Sequence, residues 1–117
     1  MSVSTGLRHV SLDTLNWKRI DVHGTVMDKA TIFEGAYEVR SAFFRMAEGQ
    51  VIENHTHTKW VQVAVLQGSM LVQQDGSEDL EAQAGSAYFL DPHHPHVETA
   101  LTETVLLVTQ GEDRPGW

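Results

Sequence analysis

Short apolar runs separated by glycine-containing turns recur along this chain of 117 residues. Residues 37–46 are rich in aromatic and β-branched side chains, 60–67 form a nearly continuous apolar run, and 103–110 form another. Such runs are typical of β-strands, and Asp75-Gly76 is a strong hairpin signal. No segment shows sustained helical periodicity with capping residues. The pattern predicts an all-β sandwich or barrel.

Length and composition indicate one small globular domain. Hydrophobic residues make up 41% and charged residues 21% of the chain, as in ordinary folded proteins. The formal net charge is −8, and the eight basic residues are scattered, which argues against nucleic acid as a partner. The first residues lack the apolar core of a secretory signal, and no run approaches the roughly 18 apolar residues of a membrane span. We therefore expect a cytoplasmic protein without a membrane partner.

Two groups of histidines are the candidate chemistry. His55 and His57 are spaced i, i+2, so on a strand both rings lie on one face with their Cα atoms about 6.6 Å apart. Imidazole nitrogens bind transition metals at about 2.1 Å, so the two rings can share an ion. A second group lies in the proline-broken segment 91–96, and we expect this loop to close over the first pair and add a histidine. His9 and His23 have no partner at a suitable spacing and are interpreted as surface histidines.

These residues resemble the two motifs of the cupin superfamily, whose small members are single jelly-roll barrels. The first family motif is a glycine, five residues, HxH, three or four residues, a glutamate, six residues and a glycine. The second is a glycine, five residues, a proline, one residue, a glycine, two residues and a histidine. The chain matches both spacings through Gly49, His55, His57 and Gly68, and through Gly85 and His96, with Asp91 in the proline place and His93 in the glycine place.

The resemblance implies a metal held by three histidines, which are His55, His57 and His96 here. The family's glutamate falls on Val61, which cannot bind metal, or on Gln62 if four residues intervene; some cupins use glutamine there. Gln62 lies five residues after His57, so an unbroken strand would turn it away, and only a β-bulge near Lys59 and Trp60 would restore it. We expect Gln62 as the fourth ligand, with water as the alternative.

The implied architecture is an all-β, single-domain jelly-roll β-barrel of the RmlC-like cupin type. Residues 37–110 would form the barrel core, 1–36 an N-terminal arm or strands packed on it, and 111–117 a tail. The apolar side chains of residues 7–20 would be exposed unless covered, and small cupins commonly pair, so we expect a homodimer.

The resemblance implies a metal-dependent enzyme of the dioxygenase, isomerase or lyase type, acting on a small polar or anionic metabolite; the fold alone does not choose. Its cofactor would be one divalent transition metal, Fe, Mn, Ni, Co, Cu or Zn, because the chain has no cysteine and offers only nitrogen and oxygen ligands. Tyr88, His93 and His94 are candidates for acid–base roles, although both histidines are more typical of solvent-facing loop residues. Arg40 is interpreted as solvated rather than as an anchor for an acidic ligand. A non-catalytic sugar- or oxyanion-binding or sensor module and a metal-free dimeric scaffold remain alternatives.

Overall fold

The computed structural model describes residues 6–112, which form one 3₁₀ turn (Leu12–Thr14) and ten strands. The strands are β1 (Lys18–Val22), β2 (Thr25–Ala36), β3 (Val39–Met46), β4 (Val51–His55), β5 (Val61–Gln67), β6 (Ser69–Gln74), β7 (Leu80–Gln83), β8 (Ala87–Leu90), β9 (His96–Ala100) and β10 (Thr104–Gly111). Residues 1–5 of the expected N-terminal arm, and 113–117 of the expected tail, lie outside the described residues. Among residues 6–112, no helix is long and apolar enough to cross a membrane.

Two antiparallel sheets confirm the predicted all-β jelly roll. The six-stranded sheet has the order β1-β2-β3-β10-β5-β8, and the four-stranded sheet has the order β4-β9-β6-β7. Neighbouring strands in each sheet are mostly far apart in the chain, so the barrel is closed by long-range pairing. Strands β1 and β2 belong to the six-stranded sheet, which places much of the expected N-terminal arm in the barrel wall.

The core lies between the sheets and follows the period of two that strand geometry imposes. In β5, Val61, Val63 and Val65 are at most 4% exposed, whereas Gln62 between them is exposed. Fully burying such an aliphatic side chain contributes about 1.5–3 kcal/mol. Gly68 ends the strand with φ +84°, a conformation that favours glycine. The inward face of β5 is therefore made of valines, and its less buried outward face carries Gln62, Ala64 and Leu66.

The predicted closure of the histidine loop is confirmed. The backbone N–H of His93 donates to the carbonyl of His57 over 2.8 Å. Strand β4 also pairs with β9 so that His55 stands opposite His96. These two contacts bring the histidine groups together at one end of the four-stranded sheet, facing the interior of the barrel.

Apolar side chains remain on the surface of the N-terminal segment. Leu7, Val10 and Leu12 are exposed. The expected homodimer depends on covering this surface, and it stays a prediction that light scattering at micromolar concentration can check.

Candidate metal centre

Four histidines from three parts of the chain converge at this end of the barrel. The ring centroid of His55 lies 4.3 Å from that of His23, 4.3 Å from that of His96 and 4.9 Å from that of His57. His55 ends β4, His57 lies two residues beyond, and His96 begins β9. His23 sits at the tip of the β1–β2 hairpin. The predicted trio of His55, His57 and His96 is thus together, with a fourth ring beside it.

A buried carboxylate completes the cluster. Glu98 follows His96 by two residues on β9, so both side chains lie on the same face of the strand. Its Oε1 is 3.6 Å from His55 Nε2 and 3.7 Å from His96 Nε2, and the residue is 5% exposed. Glu98 was not predicted from the sequence. The i, i+2 spacing of His96 and Glu98 repeats that of His55 and His57 and could have revealed it.

Backbone carbonyls fix the tautomers of two histidines. His55 Nδ1 lies 2.6 Å from the carbonyl oxygen of Glu53, and His96 Nδ1 lies 2.9 Å from that of His94. A carbonyl oxygen only accepts, so each Nδ1 carries a proton, and Nε2 is the ring atom that can bind a metal when the imidazole is neutral. His96 Nε2 is buried and has no hydrogen-bond partner among the described residues. Metal-binding histidines are commonly held in this way.

The buried donor atoms suit a transition metal. Two donors that bind one ion at about 2.1 Å lie about 3.0–3.4 Å apart, depending on the coordination geometry. The Nε2–Oε1 distances of 3.6 and 3.7 Å exceed that range by only a few tenths of an ångström. Imidazole with carboxylate is a donor set that first-row metals accept. The residues present therefore fit the metal that the cupin resemblance implies.

Burial favours the neutral form of each metal-facing group whose pKa is perturbed. It lowers the pKa of His55 to about 4, against the opposing effect of the Glu53 carbonyl. Burial also raises the pKa of the Glu98 carboxyl, although the hydrogen bond from Tyr88 acts in the other direction. A bound cation would supply the positive charge that favours an ionised Glu98 in this buried site.

The three acid–base candidates occupy different places. Tyr88 is buried, and its hydroxyl donates to Glu98 Oε2 over 2.5 Å. Burial raises the pKa of Tyr88 well above its usual range, so the hydroxyl remains a donor that orients the carboxylate. His93 and His94 are exposed. Among these candidates, Tyr88 reaches the centre, and it does so through Glu98.

Gln62 is not brought to the histidines. It stands between Phe89 of β8 and Thr109 of β10 and is exposed, while its neighbours in β5 face the core. The pairing of β5 is regular from position 61 to 64, and its irregularity lies between Val65 and Gln67. The bulge expected near residues 59 and 60 therefore does not turn the glutamine inward. Glu98 takes the place beside the histidines that we expected Gln62 to fill.

A cavity of about 620 Å³ opens beside the centre. Its lining includes two of the histidines, one acidic and three basic side chains: His23, His57, Asp21, Lys29, Arg40 and Lys59. A smaller cavity of about 70 Å³ is lined by His55 and Glu98 together with core side chains. Arg40, which we interpreted as solvated, is partly buried and lines this cavity. His23 is exposed, as expected, but its ring also stacks on that of His55 in the histidine cluster.

The jelly-roll fold and the cluster of histidines with a carboxylate define a protein of the cupin class. More particularly, residues 6–113 match the family described as the ChrR cupin-like domain, and the chain belongs to that family. Among curated proteins, sequence comparison finds no significant match.

Solved structures share the fold at low sequence identity. KdgF from Halomonas sp. is 18% identical with a TM-score of 0.74, and the alignment covers 89% of this chain and 94% of that one. The polyketide cyclase RemF from Streptomyces resistomycificus is 20% identical with a TM-score of 0.80, covering 94% and 82%. An RmlC-like cupin from Shewanella frigidimarina is 20% identical with a TM-score of 0.73, covering 90% of each chain.

Proposed function

We propose that this protein holds one divalent transition metal through His55, His57, His96 and Glu98 and acts on a small anionic metabolite in the adjoining cavity. The observation that carries the proposal is the buried convergence of two Nε2 atoms on one carboxylate oxygen, at 3.6 and 3.7 Å. The metal would be one of Fe, Mn, Ni, Co, Cu or Zn. When bound, it would supply Lewis acidity to a substrate oxygen.

The charge of the cavity supports an anionic ligand. The chain carries a net charge of −8 and only eight basic residues, yet Lys29, Arg40 and Lys59 all line this cavity. A guanidinium can bind a carboxylate through two parallel hydrogen bonds, and an ammonium adds a compact positive charge. These side chains would draw an anion in and orient it toward the histidines.

The polar wall of the cavity supports an enzyme of the dioxygenase, isomerase or lyase type. Lys29 is 8% exposed, and burial, opposed by Glu34, lowers the pKa of its amine. A lysine whose pKa is lowered can exchange a proton more readily near neutral pH. Asp21 is a second titratable group in the same wall. The chain therefore offers proton-transfer groups on the substrate side of the centre.

A non-catalytic binding or sensor module is the second candidate. The observation that favours it is the fourth histidine, because His23, His55 and His57 also form a group with the spacing of metal ligands. Each additional protein ligand leaves fewer open positions, and closed metal sites are usually structural.

Metal analysis of protein purified without a histidine tag tests the proposal. After reconstitution, we expect about one metal ion per chain in the parent and in His9→Ala, whose side chain is exposed, and a large loss in His96→Ala. If none of the six metals binds the parent, the proposal fails and a metal-free scaffold remains.

Anion binding is tested on the metal-loaded protein by titration calorimetry with small dicarboxylates. We expect Arg40→Gln to weaken binding about tenfold, which corresponds to losing one charge-assisted hydrogen bond. Arg19→Gln is the matched control, because its side chain is 73% exposed on β1. Equal affinities in these two variants would show that the cavity does not select anions through Arg40.

A further inference from the structure

The tip of the β1–β2 hairpin presents His23 to the metal centre. The ring of His23 stacks on that of His55, with 4.3 Å between centroids and 21° between planes. Its centroid lies 6.0 Å from that of His57. One nitrogen from each of these three rings lies within 4.8 Å of the others. The His23 ring therefore stands beside the residues already assigned, and a bound ion would draw its nitrogen closer to theirs, to about 3.0–3.4 Å for neighbouring ligands.

The surroundings of His23 differ from those of the buried ligands. His96 and Glu98 are at most 5% exposed, whereas His23 is exposed. His23 lines both the large cavity and the small inner one. It therefore approaches the centre from the side on which a ligand would enter.

We propose that His23 is a displaceable metal ligand, which binds the ion from the cavity side and gives way to the incoming anion. This inference rests on the proposed function, because it requires the ion held by His55, His57, His96 and Glu98. Displacement of His23 would reconcile the two candidate functions, the enzyme and the binding module. The centre is closed while His23 binds and open once an anion has replaced it.

The turn of the β1–β2 hairpin keeps its conformation without a contribution from the His23 ring. His23 has φ 49° and Gly24 has φ 89°, and the Gly24 N–H donates to Asp21 Oδ1 over 2.9 Å. These features hold the turn independently of the imidazole. In the described part of the chain, β1 is an edge strand paired with β2 alone. The ring can leave the metal by rotating about its side-chain torsions, without breaking a strand pairing.

Competition by His23 would lower the apparent affinity for the anion. The apparent dissociation constant equals the intrinsic one divided by the fraction of protein in the competent state. If His23 binds the ion about 90% of the time, the anion binds about tenfold more weakly than it would to an open centre. Removing His23 should therefore weaken metal binding and strengthen anion binding.

The test uses the Co²⁺-loaded full chain with azide as the anionic probe. His23→Asn is the main variant, because asparagine tolerates the left-handed conformation of this turn. We expect Co²⁺ affinity to fall about tenfold, as for the loss of a supporting partner in a metal site. We also expect the Co²⁺ absorption bands to change and azide affinity to rise about tenfold. His9→Asn is the control and should match the parent throughout.

The outcomes separate this inference from the proposed function. If the parent does not bind Co²⁺, the proposed function fails. If the parent binds Co²⁺ and His23→Asn keeps its absorption bands and azide affinity, His23 is not a ligand. A variant that binds both Co²⁺ and azide more weakly points to a structural role and overturns the inference.

A measurement on the parent protects the test against a variant that does not fold. Co²⁺ shifts the NMR signals of the N–H groups on imidazole rings that bind it through their other nitrogen. Saturation with azide should remove one of these shifted signals. If their number stays unchanged when azide is bound, displacement is excluded.

Discussion

Glu98→Gln is expected to change stability in opposite directions with and without metal. Glutamine keeps the shape of the side chain and an oxygen that can accept the hydrogen bond from Tyr88, but it removes the charge. Burial raises the pKa of Glu98 from 4.5. Without metal the parent therefore loses stability as the pH rises above about 4.5, because the carboxyl of the unfolded chain ionises before the buried one does. At pH 7 the metal-free variant should be more stable than the parent by about 1 kcal/mol or more.

With metal bound, the parent should be more stable than Glu98→Gln. A ligand present at 100 times its dissociation constant stabilises the folded state by about 2.7 kcal/mol. If loss of the carboxylate weakens metal binding about 100-fold, the same concentration stabilises the variant by only about 0.4 kcal/mol. With about 4 °C per kcal/mol for a domain of this size, metal should raise Tm by about 11 °C in the parent and by about 2 °C in the variant.

Thermal unfolding with and without metal at pH 7 measures both effects. Glu103→Gln is the matched control, because this glutamate is exposed, and it should give the parent's metal-induced shift. A full shift in Glu98→Gln would show that this carboxylate is not a ligand. A metal-free variant less stable than the parent would refute the argument that the buried carboxylate opposes folding.

The remaining predictions concern the placement of Gln62, the titration of His55 and the turn at Gly68. Gln62→Ala should keep the parent's metal content, because the side chain is exposed away from the cluster, whereas His57→Ala should lose most of it; similar contents in elemental analysis would contradict this placement. Burial lowers the pKa of His55 from 6.5 to about 4. As the pH falls through this window, the unfolded chain takes up the proton first, so the free energy of unfolding falls by at most about 3 kcal/mol. Urea unfolding at pH 7 and pH 4 should show that loss in the parent and a smaller one in His55→Gln; identical pH dependence would rule out the titration. Gly68→Ala should cost about 3 kcal/mol or more, because a Cβ would lie 2.3 Å from a backbone oxygen. Gly76→Ala, at φ +82° but in open space, should cost only about 1–2 kcal/mol, and equal urea midpoints would exclude the steric explanation.

The strands could be predicted because their signals are local. Alternation in β5 and the hairpin turn at Asp75 and Gly76 depend on residues close in the chain. The facing of Gln62 was also readable, since its odd separation from His57 predicted an outward side chain. The spacing of the family motif suggested a bulge instead, and the structure has the simpler register.

Glu98 and His23, which were not predicted, illustrate two different limits of prediction from sequence. Glu98 carried a local signal, because it shares a strand face with His96. His23 carried none. It is 32 positions from His55, and its stacking on that ring depends on how the β1–β2 hairpin lies against the other sheet. A cavity such as that lined by Arg40 likewise exists only once both sheets are in place.

The distribution of the proposed ligands along the chain has a consequence for folding. The first and the last of them in the chain, His23 and Glu98, are 75 positions apart. His23 lies in the turn between two strands of the six-stranded sheet, and Glu98 lies on β9 of the four-stranded sheet. The complete centre therefore forms only when nearly the whole barrel has closed. The unfolded chain still contains His55 with His57, and three histidines within four positions from His93 to His96, and such local pairs chelate metal without any fold. Metal added before refolding is therefore divided between these partial chelates and the finished site, which reduces its net stabilisation of the native state.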